Sequence, residues 1–170
     1  ILELTDPLDP SFKYGSLYDT VRLGSYQLRL QATAARYFPA GKNGVVKTGI
    51  QGGLLQGSSL FRNELFQIGG YRTLRGFDEE SQFVSHYAIG TLEYRYLFGI
   101  NSFFFAFFDG GLGRHATEAV KGHQYLGTGL GLALETKAGI FNLAWAIGKR
   151  DDAALNLRGS KVHLGFVNYF

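Results

Sequence analysis

The chain has 170 residues, of which 24 are Gly and 15% are aromatic, with three prolines and neither Cys nor Met. This composition favours an all-β protein, which we take as one domain spanning residues 1–170. The lack of Cys excludes disulfide frameworks and Cys-based metal sites or nucleophiles, and suits a chain handled in an oxidising compartment. The net charge of +3 is small and spread along the chain, which argues against a nucleic-acid partner.

No stretch of the sequence is apolar enough for a membrane-spanning helix. The longest apolar run, residues 103–108, is far shorter than the roughly 20 residues that such a helix needs. The chain also shows no charged and then apolar signal segment at its start, so we expect that the signal of an exported protein has been removed or left out of this sequence.

Alternation of apolar and polar residues with period two predicts strands along most of the chain. A short strand end is expected at residues 1–4, followed by a loop around the Asp-Pro pairs at residues 6–7 and 9–10. Longer strands are predicted at residues 20–38, 44–57, 87–98, 102–113, 125–136, 140–148 and 160–170. The count is about eight antiparallel strands, joined alternately by short turns and long loops.

The lengths of these strands and of their connections favour a membrane barrel. Strands of about 9–13 residues are longer than those typical of a soluble sandwich. Turns of about three residues at one end only are typical of transmembrane barrels. We therefore predict an antiparallel transmembrane β-barrel with its Leu, Val and aromatic face toward lipid and its Gly, Gln, Glu and Arg face inward. A soluble barrel, with the apolar face inward, is the alternative.

Residues 58–86 form a long connection between two predicted strands, which we call the lid. Loops longer than about 12–15 residues are usually functional or disordered. The lid has too many large apolar residues for a disordered tail, so it should pack against the wall. These residues are Phe61, Leu65, Phe66, Ile68, Leu74 and Phe77. A packed lid requires a carboxylate partner for its central cation, Arg75.

Residues 69–77, Gly-Gly-Tyr-Arg-Thr-Leu-Arg-Gly-Phe, resemble the lid-loop motif of the BamA/TamA surface-antigen superfamily of outer-membrane assembly barrels. That motif has two glycines, a short spacer, and then Val/Leu-Arg-Gly-Phe/Tyr. The matching residues here are Gly69, Gly70, Leu74, Arg75, Gly76 and Phe77. Residues 90–94, 107–111, 129–132 and 141–146 resemble the following family strands, and the chain ends on an aromatic residue, Phe170. The resemblance covers roughly residues 26–170.

The resemblance implies that a cation on the lid is held by two carboxylates on the barrel wall. By position, Arg75 matches the lid arginine, and Glu93 and Asp109 match the carboxylates. The strand pattern agrees: Glu93 lies on the polar face of its strand, and Asp109, which we expect to end a strand of six apolar residues, should also project inward. A guanidinium can bind two carboxylate oxygens in parallel, which Lys cannot do. The plainer interpretation is three unrelated surface charges.

The chain is shorter than the family pattern, in which a sixteen-stranded barrel follows periplasmic domains. It therefore resembles only the C-terminal half of that barrel. A closed barrel of about eight strands is just wide enough for its own side chains, yet the small inward residues need a filler, for which the lid is available. We expect a homodimer closed edge to edge, or another barrel-completing chain. A closed eight-stranded monomer with the lid outside is the alternative.

By resemblance, the function is insertion or translocation of proteins at the bacterial outer membrane, with unfolded outer-membrane proteins as clients and no cofactor. A client strand would add at a weakly paired seam formed by the terminal strand. The seam residues are Val162, Leu164, Gly165, Phe166 and Phe170, with Gly165 weakening the strand locally. The alternatives are a structural or pore-forming barrel without assembly activity, or a membrane anchor for an absent enzyme domain.

Three other patterns suggest chemistry only weakly. The glycines of residues 127–131 alternate on one strand face with no helix after them, which indicates close packing rather than a phosphate loop. His115, Glu118 and His123 share a loop and could bind a metal, although a solvated loop is the plainer interpretation. No Gly-x-Ser-x-Gly elbow occurs, and His86 and His163 have no evident Ser or Asp partners. We therefore predict no catalytic, cofactor or metal site.

Overall fold

The structure is a computed structural model that describes residues 26–58, 60–114, 122–151 and 153–168. Four sequence-based expectations lie outside these residues: the strand end at 1–4, the Asp-Pro loop after it, the start of the strand predicted from residue 20, and Phe170. His115 and Glu118 are also outside the described ranges.

The described residues form nine strands and two single-turn 3₁₀ helices, at Arg62–Glu64 and Leu157–Gly159. The strands are β1 (Gln27–Pro39), β2 (Gly44–Gly57), β3 (Phe66–Ile68), β4 (Gln82–Val84), β5 (His86–Leu97), β6 (Phe103–Arg114), β7 (His123–Thr136), β8 (Gly139–Arg150) and β9 (Lys161–Asn168). Seven of them form one antiparallel sheet in the order β1-β2-β5-β6-β7-β8-β9, which curls into a half-barrel. The all-β prediction is confirmed.

Short and long connections segregate to opposite ends of this sheet. At the turn end, residues 40–43, 98–102 and 137–138 join neighbouring strands, and Gly41 takes the positive φ of 85° that a tight turn requires. At the loop end lie the lid and the connections that follow β6 and β8. The predicted alternation of connection lengths is therefore present.

The two faces of the sheet differ because side chains alternate along each strand. On the concave face, β7 buries Tyr125 and Ala133, whereas on the convex face Leu130 is 60% exposed. The residues of β6 depart from the expectation that aromatic side chains face outward, because Phe105 and Phe107 are buried on the concave face. Their rings fill the space beside the glycines of β7. Protein interiors are closely packed, so such a space is not left empty.

The sheet has two open edges within the described residues. β1 pairs with β2 and β9 pairs with β8, and neither has a second strand beside it. All 13 residues of β1 are exposed, on the concave face as well as on the convex one. Within the described residues the sheet is therefore an open half-barrel with two edges.

The lid folds into the concave side and has secondary structure that the sequence pattern did not predict. Its β3 and β4 pair as a short antiparallel ladder. Its apolar residues form a common core with the concave wall, which comprises Leu55, Leu65, Phe66, Ile68, Leu74, Val84, Tyr87, Ile89 and Tyr125, with Phe77 packed against it. Phe61 is an exception among the apolar residues expected to pack, since it is 67% exposed.

In the described ranges, no helix is both long and apolar enough to cross a membrane.

Candidate functional site: the lid clamp

The backbone of the lid tip brings Arg75 to the wall. Gly69 and Thr73 exchange hydrogen bonds, with the Gly69 N–H donating to Thr73 Oγ1 at 2.8 Å and Thr73 Oγ1 donating back to the Gly69 carbonyl at 2.9 Å. The N–H of Gly70 donates to the Leu74 carbonyl. These bonds close a compact turn that directs Leu74 into the core and Arg75 toward β5 and β6.

Gly76 meets two requirements that only glycine satisfies. Its φ is +93°, which is unfavourable for residues with a side chain. A Cβ at this position would lie 2.6 Å from the backbone of Ile147 and Gly148 in β8. The N–H of Gly76 donates to Nε2 of His163 in β9 at 3.1 Å. The glycine after the arginine therefore allows the lid tip to rest directly on the wall.

The Arg75 guanidinium binds both of the carboxylates that the resemblance implied. Its Nε donates to Asp109 Oδ2 at 2.8 Å and its Nη2 donates to Asp109 Oδ1 at 2.7 Å, which is the bidentate arrangement. Its Nη1 donates to Glu93 Oε2. The backbone N–H of Arg75 adds a 3.2 Å bond to Asp109 Oδ2. The structure thus brings together three residues that lie far apart in sequence.

The register of β5 and β6 explains why the carboxylates converge. Thr91 pairs with Asp109 and Glu93 pairs with Phe107, so the two acids are diagonal neighbours on the concave face. Asp109 lies in the middle of β6, not at the end of a strand as the sequence suggested. This position puts the carboxylate deep in the half-barrel, where its side chain is only 1% exposed.

Three wall residues complete the clamp, and the sequence analysis did not identify them. Thr91 Oγ1 donates to Asp109 Oδ1 at 2.9 Å, and Arg95 Nε donates to Glu93 Oε1 at 2.8 Å. The guanidinium carbon of Arg75 lies 3.6 Å from the centre of the Phe107 ring, a cation–π contact. Arg95 could have been found from its spacing, since it lies two residues after Glu93 on the same face.

The charges in this cluster balance, with two carboxylates facing two guanidinium groups. Burial alone would lower the pKa of Arg75, but its hydrogen bonds and charge interactions with Asp109 and Glu93 raise the pKa above the ordinary value. Arg75 therefore remains charged while its side chain is only 7% exposed. Such a cluster is stable only when every member is paired, because an unpaired buried charge is costly.

The lid also contacts the terminal strand β9 through side chains on the concave face. The ring of Tyr71 lies over Gly165, where a Cβ would be 3.7 Å from the ring. Burial raises the pKa of the Tyr71 hydroxyl above 10.0. Lys161 Nζ forms an ion pair of 2.7 Å with Asp78 of the lid. Gly165, which the sequence suggested as a weak point of the seam, therefore also leaves room for the Tyr71 ring.

The other seam residues that the structure describes lie on the convex face of β9. Val162, Leu164 and Phe166 are all exposed, and the Phe166 ring lies 4.6 Å from that of Phe141 in β8. One side of β9 bonds to β8, and its other side is an edge of the described sheet. The lid therefore contacts β9 on its concave face and not along its edge.

The clamp holds the lid against the wall. Its cation and both its acids are engaged with one another, so none of them is poised to bind a substrate. Among the described residues, no group of three or more His, Cys, Asp or Glu is placed to hold a metal ion. Of the three candidate metal ligands in the sequence, His123 lies within the described residues, and its Nδ1 is 2.7 Å from Oδ2 of Asp151.

Comparison with known proteins adds no assignment at this point. No protein-family model matches the chain, and no curated protein matches it.

Proposed function

We propose that this chain forms half the wall of an outer-membrane β-barrel of the BamA/TamA assembly type, acting in insertion or translocation of proteins at the bacterial outer membrane. The observation that carries the proposal is the clamp: the arginine of a lid motif resembling that of the superfamily bonds to two wall carboxylates. This is the arrangement that the resemblance implies. The clamp joins residues from three separate stretches of the sequence that resemble the superfamily, namely residues 69–77, 90–94 and 107–111.

The convex face supports a membrane location. Its exposed residues on neighbouring strands are mainly apolar or aromatic, including Leu92, Phe108, Leu130 and Trp145. Such a surface would be costly in water and suits contact with lipid. In outer-membrane barrels the short turns face the periplasm and the longer loops face outward. By that rule the lid would enter from the cell surface.

The open edges require further strands to complete the barrel. Unpaired backbone groups cost several kcal/mol each in lipid, so bare edges are not tolerated there. The concave face of β1 is exposed and the lid already fills the other side of the half-barrel. A second copy of the chain, closing edge to edge with two-fold symmetry, or another barrel-completing chain would meet both requirements.

The edge of β9 is the place where a client strand would bind. Strand addition uses main-chain hydrogen bonds for affinity and therefore requires an edge that is accessible at least transiently. In the described part of the chain β9 has eight residues, whereas its neighbour β8 has 12. A seam along such a short strand would have fewer hydrogen bonds to separate than one along the longer strands.

Reconstitution of the full chain into liposomes tests this function. An unfolded outer-membrane barrel protein, diluted from urea, should fold faster into these vesicles than into empty ones, as measured by its heat-dependent electrophoretic mobility. Ion conductance is recorded in parallel. Conductance without acceleration of client folding would replace the proposal with a pore-forming barrel. Failure of the chain to remain with the vesicles on flotation would remove the membrane location as well.

A further inference from the structure

A groove crosses the convex face of the sheet near the loop end. Its upper part has a volume of about 540 Å³ and its lower part about 310 Å³, and the two parts share Ala88, Leu112 and Gln124. Leu54 and Ile50 line one side and Leu126 lines the other. These side chains alternate with those of the buried core, so the groove lies on the outer surface and not in the lumen.

The floor of the groove consists of residues with little or no side chain. Gly90 and Gly110 are directly paired across β5 and β6. The nearest atom to a Cβ at Gly90 would be 4.0 Å away, so packing does not demand glycine there. Gly127 on the concave face differs, because its Cβ would collide with the Arg75 carbonyl. The glycine pair thus leaves a depression in an otherwise apolar surface, flanked by Ile50 and Leu126.

The upper mouth of the groove carries the guanidinium of Arg114. His86 and Arg114 are paired across β5 and β6 and both line it. On the convex face of the described strands, the other charged residues are Arg36 and Lys149, and no Asp or Glu occurs there. Within the described ranges, no carboxylate forms an ion pair with Arg114. The mouth therefore places the Arg114 guanidinium at the top of an apolar channel, while the nearby Asp151 carboxylate is engaged by His123 and by the N–H of Gln124.

We propose that this groove binds one phosphorylated lipid, with an acyl chain lying over Gly90 and Gly110 and the phosphate at Arg114. The inference rests on the proposed function only in that the convex face must meet a membrane. A free phosphate would use the mouth alone, whereas the apolar channel below it matches the chain of an amphiphile. A guanidinium binds phosphate oxygens in a bidentate manner, which fixes the lipid at the height of the loop end.

Lipid titration of the full chain in detergent micelles tests the groove, with the retained lipid counted by native mass spectrometry. The probe is dioleoyl phosphatidic acid, compared with dioleoylglycerol and with inorganic phosphate. Gly90→Leu fills the channel, and Arg114→Gln removes the charge. Ala106→Leu adds the same side chain on the convex face outside the groove, and Arg36→Gln removes a convex cation elsewhere. Heat-dependent mobility of each variant shows that it is folded.

We expect one tightly held phosphatidic acid per chain and weak retention of dioleoylglycerol. Arg114→Gln should weaken binding about tenfold or more, the loss expected for one charged hydrogen bond. Gly90→Leu should weaken it comparably, and both controls should bind as the parent does. Equal losses in Arg114→Gln and Arg36→Gln, or no loss in folded Gly90→Leu, would overturn the site. So would competition by inorganic phosphate at the concentration of the lipid. If a chain that retains no lipid still accelerates client folding, the lipid site is wrong and the proposed function stands.

Discussion

Removal of Arg75 is the most direct test of the clamp. Arg75→Ala would delete three side-chain hydrogen bonds to Asp109 and Glu93 and the contact with the Phe107 ring. The carboxylates would keep some partners, since Thr91 still donates to Asp109 and Arg95 to Glu93. The variant would thus leave a net negative charge in an enclosed space against the concave wall.

The expected free-energy cost of Arg75→Ala follows from the partners that the two carboxylates lose and keep. Removing one member of a buried ion pair costs about 3–5 kcal/mol. The remaining hydrogen bonds place the expected value near the lower limit, at about 3 kcal/mol. If this cost falls on lid docking, the population of the undocked lid should rise about a hundredfold. Arg75→Lys should recover only part of it, because a single ammonium cannot reproduce the planar fork.

Limited proteolysis of the folded protein measures that population. Cleavage follows the fraction of open lid when opening and closing are fast. A Glu-specific protease is suitable because the lid carries exposed Glu79 and Glu80, which the substitution does not alter. Arg72→Ala is the matched control, since Arg72 lies three residues away in the same turn and is exposed.

A second substitution separates loss of the clamp from general damage. In the Arg75→Ala background, Asp109→Asn removes one of the two charges left behind, so it should slow lid cleavage again. If Arg75→Ala and Arg72→Ala are both cleaved as slowly as the parent, the guanidinium contributes nothing to lid docking and the reasoning fails.

Three further predictions concern the lid and the sheet edges. Gly127→Ala should destabilise docking of the lid by about 1–3 kcal/mol, because its Cβ would collide with the lid backbone. Gly90→Ala should be tolerated. Equal rates of lid cleavage in these two variants would contradict the prediction. Burial raises the pKa of Tyr71, so its contribution to docking is present below about pH 10 and is lost as the pH rises through the raised value. In Tyr71→Phe, raising the pH should therefore release less of the lid than in the parent, as measured by the rate of lid cleavage at each pH. An unchanged dependence of cleavage on pH would contradict this prediction. If two copies close the barrel, Leu28→Cys in a tagged chain should cross-link to Leu164→Cys in an untagged one, whereas cross-links confined to single chains carrying both substitutions would indicate a closed monomer.

The strands and their inward faces could be predicted because alternation needs only local sequence. Glu93 was placed on the concave face by its position between outward Leu92 and Tyr94. Phe105 and Phe107 were not placed inward, since a run of apolar residues carries no alternation to read. Their inward position depends on the space left by glycines on the neighbouring strand, which is a tertiary property.

The partners of the clamp depend on register and long-range contacts. Thr91 contacts Asp109 because the turn at residues 98–102 sets the pairing of β5 with β6. His163 is 87 residues from Gly76, and no local pattern marks it as the acceptor of a lid N–H. The strands β3 and β4 have three residues each, which is too short for a periodic signal.

The arrangement of β9 bears on how, in the proposed function, the seam could open while the lid stays in place. The lid reaches β9 through His163, Lys161 and the surface of Gly165, all on the concave face. Strand addition uses instead the backbone groups along the edge, which point sideways in the plane of the sheet. A client strand pairing with β9 would therefore not compete for the atoms that hold the lid. Meanwhile Arg75 ties the lid to β5 and β6, which are four and three strands away from that edge in the sheet order. In the proposed function, the seam would open while the lid stays docked in its own half of the wall.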